Sequence, residues 1–60
     1  MKPLEEEQKA ATDLLRDKVV KNIKRPNTRE LMIEFTDGTR LYVNESDVGL
    51  DLSVTHGRGR

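Results

Sequence analysis

The 60-residue chain has no cysteine and no tryptophan, only one phenylalanine, one tyrosine and one histidine, and two prolines. Without thiols there is no disulfide framework, no cysteine-based zinc site and no thiol nucleophile. Two aromatic rings, Phe35 and Tyr42, are too few for the stacking platform on which single-stranded nucleic acids are usually held. No run of residues approaches the roughly 20 apolar positions of a membrane helix, and residues 1–7 hold no apolar segment of leader length. A cytoplasmic address with no membrane partner is therefore the expectation, under which the acceptor-like triplet Asn44-Glu45-Ser46 has no use. Apolar residues make up only 33% of the chain, and at this length one core is barely sufficient. Support from a protein partner or a second copy is expected.

Charge is abundant, at 37% of residues, and balanced to zero, but it is unevenly placed. Residues 1–15 carry −2, residues 16–29 carry +5, residues 30–55 carry −5, and Arg58 with Arg60 restores +2. The molecule is polarised rather than basic.

The clearest pattern lies in residues 31–43, two alternating stretches either side of Asp37-Gly38. A two-residue Asp37-Gly38 loop would place Phe35 opposite Arg40 and Ile33 opposite Tyr42, mixing apolar and polar side chains on both faces. A three-residue loop, Thr36-Asp37-Gly38 with Gly38 in the left-handed region, instead pairs Phe35 with Thr39, Ile33 with Leu41 and Leu31 with Val43. The second register makes one face apolar and leaves Glu34 with Arg40, and Met32 with Tyr42, on the other. It is the one the sequence predicts.

Pro3 suits the first turn of a helix, and Glu5, Glu6 and Glu7 suit its positive end. Leu4, Ala11, Leu14, Leu15 and Val19 share one side at 3.6 residues per turn, which predicts a helix ending near Arg16 or Asp17. Val19, Val20 and Ile23 suggest a first strand over residues 19–24, of undecided facing, and residues 25–29 read as a turn around Pro26. Residues 44–49 read as a polar loop, and Leu50, Leu52 and Val54 alternate as a fourth strand. The predicted fold is α+β: residues 1–55 form one domain, an N-terminal helix packed on an antiparallel meander of three to four strands, with residues 56–60 as a flexible tail. Leu4, Ala11, Leu14 and Leu15 would cover Ile23, Leu31, Ile33, Phe35, Leu41, Val43, Leu50, Leu52 and Val54.

The residues 33–41, Ile-Glu-Phe-Thr-Asp-Gly-Thr-Arg-Leu, followed by Gly49-Leu50-Asp51-Leu52-Ser53-Val54-Thr55, resemble short uncharacterised bacterial proteins in which a helix precedes a meander. The resemblance implies the fold and carries no activity.

Constellations for chemistry are thin. His56 has no cysteine or second histidine beside it to build a zinc site, and no serine sits in a nucleophile elbow. The acidic loop 44–51 departs from a calcium loop, since Val48 lacks a side-chain oxygen at the fifth position and Thr55 replaces the carboxylate at the twelfth. Glu34 and Arg40 read as a cross-strand ion pair. No cofactor, metal or catalytic residue is expected, and the chain reads as a non-enzymatic module that binds an unknown protein or its own copy. The candidate contact residues are Met32 and Tyr42, with the strand from Leu50 to Thr55 as a further surface. Nucleic-acid binding through Lys21, Lys24, Arg25 and Arg29 in the basic stretch 16–29 is the alternative.

Overall fold

The computed structural model describes residues 3–56; of the tail expected over residues 56–60, all but His56 lies outside them. Helix α1, Leu4–Leu15, starts behind Pro3, which is the N-cap rather than a first-turn residue. Its carbonyl accepts the amides of both Glu6 and Glu7 at 3.1 Å, and the three glutamates occupy the first turn, where the helix dipole favours them. The helix stops one residue before the predicted end. Arg16 is already extended and Asp17 has φ 64°, a left-handed conformation that aspartate tolerates better than most residues and that here takes the part of the missing glycine.

Four strands follow, β1 Val20–Asn27, β2 Glu30–Phe35, β3 Arg40–Ser46 and β4 Gly49–Thr55, in one antiparallel sheet of order β1-β2-β3-β4. The central hairpin has the predicted three-residue register. Leu31 pairs with Val43, Met32 with Tyr42, Ile33 with Leu41 and Glu34 with Arg40. The Phe35 amide donates to the Thr39 carbonyl at 2.8 Å, the Gly38 amide donates to the Phe35 carbonyl at 3.0 Å, and Gly38 takes φ 92°.

Two predicted loops are shorter than expected. β1 runs through Pro26 to Asn27, so the turn is Thr28-Arg29 rather than residues 25–29. Proline is tolerated because β1 is an edge strand, and its pairing with β2 shifts register between Lys24 and Asn27 and again between Val20 and Asn22. Likewise β3 continues through Asn44, Glu45 and Ser46, which leaves only Asp47 and Val48 as the turn. The Ser46 hydroxyl donates to the Gly49 carbonyl at 3.0 Å, and Gly49 turns into β4 with φ 131°.

Opposed residues of antiparallel strands share a face, so Ile23, Leu31, Ile33, Leu41, Val43, Leu52 and Val54 lie together, and α1 lines a recess with Leu52 and Val54 on that side. Phe35, only 6% exposed, and the buried Thr39 sit where this face meets the β2–β3 turn. Helical cover falls short of the prediction. No residue of α1 is buried, and Ile23 and Leu50, both expected beneath it, are 60% and 67% exposed. One twelve-residue helix spans too little of a four-stranded sheet, and it lies toward β4.

Candidate functional site

The basic stretch is partly engaged within the fold. Arg25 donates from Nε to the Glu30 carbonyl at 2.8 Å and from Nη2 to the Thr28 carbonyl at 2.9 Å, clasping the β1–β2 turn. Arg29 reaches across to Glu45 at 3.2 Å while its amide donates to Asn27 Oδ1. Lys21 lies at the first irregularity of β1, and Lys24 is opposite Met32; both are exposed, and among the described residues neither pairs with a carboxylate. The structure thus gathers Lys21, Lys24, Arg25 and Arg29 along β1 and its turn, with the two arginines serving the backbone and an ion pair.

On the face away from α1, Met32 stands between Lys24 and Tyr42 on the neighbouring strands. Met32 is only 8% exposed, so the pair presents Tyr42, itself half-buried, more than Met32. Glu34 and Arg40 form the cross-strand ion pair at 3.6 Å. His56 is exposed at the end of β4, and among the described residues no three His, Cys, Asp or Glu side chains come together as a metal site. No helix among the described residues is long and apolar enough to cross a membrane.

An ionic contact that sequence reading did not find fastens the helix connector to the central hairpin. Lys18 Nζ lies 2.5 Å from Asp37 Oδ2, and Asp37 Oδ1 accepts the Thr39 amide at 2.9 Å. The Lys18 hydrogen bond first, and the Thr39 hydrogen bonds second, hold the Asp37 carboxyl well below the usual carboxylate range. In the unfolded chain the same carboxyl takes up a proton near pH ~3.9. The unfolded state therefore binds more protons below that pH, and this contribution to stability, full above about pH 5, declines as the medium is acidified. Asp37→Asn retains an acceptor for Thr39 but does not titrate. Urea midpoints measured between pH 6 and pH 3 are expected to fall less steeply for Asp37→Asn than for the wild type; equal slopes would show that Asp37 does not contribute.

The two sheet edges differ in kind. β1 carries two register shifts, a proline and several cations, all devices that discourage a further strand. β4 pairs with β3 without a shift from Ser46–Gly49 to Arg40–Thr55, has no proline or cation, and bears Asp51 as its single charge. No family model, curated protein or solved structure matches the chain. Its surface chemistry must carry the functional reading. Beside β4 lie two apolar recesses, one of about 370 Å³ lined by Glu7, Ala10, Ala11, Leu14, Leu52 and Val54, the other of about 400 Å³ lined by Leu4, Glu7, Val48, Gly49, Leu50 and Leu52. Neither includes a residue of β3: both lie between α1 and β4 or the turn that precedes it. Around the second, Leu4 is 78%, Val48 93% and Leu50 67% exposed. Sequence reading points to the strand from Leu50 to Thr55 but misses Leu4 and Val48, which it places in the core and in a polar loop.

Proposed function

We propose that this chain is a small non-enzymatic protein-binding module of the cytoplasm, akin to the short uncharacterised bacterial proteins its hairpin resembles. Its contact surface is the β4 edge and the apolar corner beside it. The supporting observation is the joint exposure of Leu4, Val48 and Leu50 around one recess, in a chain with few apolar residues to spare. Single exposed leucines are commonplace, whereas an apolar cluster beside an unpaired strand marks a contact surface. Covering each such side chain contributes up to roughly 1.5–3 kcal/mol, enough for two or three of them to anchor a partner.

The test is affinity capture from the native cell extract with wild-type, Leu50→Glu and Tyr42→Ala baits, each with and without nuclease. Leu50 is exposed, so its replacement should leave the fold intact, and loss of a central anchor lowers recovery by roughly tenfold or more. Retention by Leu50→Glu with loss by Tyr42→Ala would shift the contact to the outer sheet face. Capture that disappears only after nuclease would favour the nucleic-acid alternative through Lys21, Lys24, Arg25 and Arg29. Equal recovery by all three baits would overturn the β4 surface.

A further inference from the structure

We infer that the occupant of the β4 edge is a second copy of this chain, paired antiparallel through β4 about a two-fold axis at Leu52; this rests on the protein-binding reading above and names its partner. The argument comes from the strand's own register. A two-fold axis normal to the sheet places residue i opposite residue j with i + j constant, and an odd constant would set the apolar face of one copy beside the polar face of the other. Only even registers remain. Centred on Asp51, the pairing sets two carboxylates against each other, a destabilising arrangement. Centred on Ser53, it puts Leu50 opposite His56 and leaves only residues 51–55 paired within the strands. Centred on Leu52, all seven residues of Gly49–Thr55 are used: Leu52 meets Leu52, Leu50 meets Val54, Asp51 meets Ser53 and Gly49 meets Thr55. Apolar side chains then face apolar ones on the helix side, and no like charges are opposed.

An axis normal to the sheet keeps both α1 helices on one side of the joined eight-stranded sheet, with the α1–β4 recesses of the two copies either side of the new strand pairing. Ala10 and Ala11 on that side of α1 leave room for close approach of the second helix. The two copies thereby cover each other's Leu4 and Leu50, which a lone chain leaves in water. A backbone ladder alone falls short of the roughly 800 Å² per partner of a stable interface, and the helix-lined recesses supply the additional apolar area.

Ser53 is exposed, which makes it a probe that spares the fold. In the Leu52-centred dimer Ser53→Lys creates two Asp51–Lys pairs across the axis and Ser53→Asp creates two carboxylate oppositions. Sedimentation equilibrium of the full chain is expected to show a monomer–dimer equilibrium, tightened about three- to tenfold by Ser53→Lys and weakened by a similar factor by Ser53→Asp. Far-UV circular dichroism of both variants checks folding. Weakening by Ser53→Lys would place the axis at Ser53 and overturn the register, and indifference to both variants would place the contact elsewhere. A chain that stays monomeric up to roughly 1 mM would overturn the second copy as partner. Capture lost by Leu50→Glu would then still uphold the β4 surface for a different protein, so the two failures are distinguishable.

Discussion

Phe35→Ala is expected to lower the free energy of unfolding by about 3 kcal/mol or more, which is most of what a domain this small possesses. Phe35 is 6% exposed, is one of only two buried hydrophobic residues among those described, and stands where β1, β2 and the central turn converge. Val20 lies opposite it on β1, and its amide closes the turn through Thr39. Truncation would leave a cavity in a core that has few other buried side chains to collapse into it. Urea titration followed by circular dichroism should find Phe35→Ala largely unfolded in water, with Phe35→Leu recovering more than half of the loss. A midpoint within experimental error of the wild type would mean that the cooperative core lies elsewhere in the sheet.

The second large effect is expected at Gly38. Its φ of 92° is one that a Cβ disfavours, and the three-residue register depends on it. Gly38→Ala should cost about 1 kcal/mol or more, whereas Gly38→Asn should cost less, because asparagine enters the left-handed region more readily. Cross-strand NMR contacts offer a second measurement: Ile33 should remain opposite Leu41 in both variants. An unchanged urea midpoint for Gly38→Ala would show that the turn relaxes to another geometry at little cost.

The central hairpin was legible because parity leaves only one register that sorts apolar from polar, and because Asp37-Gly38 names its turn. The outer strands were less so, for different reasons in each case. β1 is rich in charge because it is an edge, so the alternation by which strands are recognised is blurred by Lys21 and Lys24, and Pro26 reads as a breaker although an unpaired flank accommodates it. At the far end, Asn44, Glu45 and Ser46 have loop-like composition, yet their backbone groups pair with β4 whatever their side chains are. The helix end was blurred because Asp17 performs by conformation what a glycine would have announced by identity. Among the candidate contacts, the Met32–Tyr42 adjacency followed directly from the register, but the burial of Met32 did not, since alternation assigns a residue to a face without saying how far its neighbours cover it. The apolar corner could be found only once the short Asp47-Val48 turn had brought Val48 beside Leu4 and Leu50.

Strand order that repeats sequence order also governs how quickly the sheet can assemble. Every strand pairs only with its neighbours along the chain, and the segments to be closed are Thr28-Arg29, residues 36–39 and Asp47-Val48. The entropy lost in closing such short loops is small, and contacts between near neighbours in sequence favour rapid folding for a β-rich chain. The central hairpin can form first as a template, with β1 and β4 added on opposite sides in either order. Helix α1, joined to β1 by residues 16–19 but sharing a recess with β4, can take its final place only after the meander is complete.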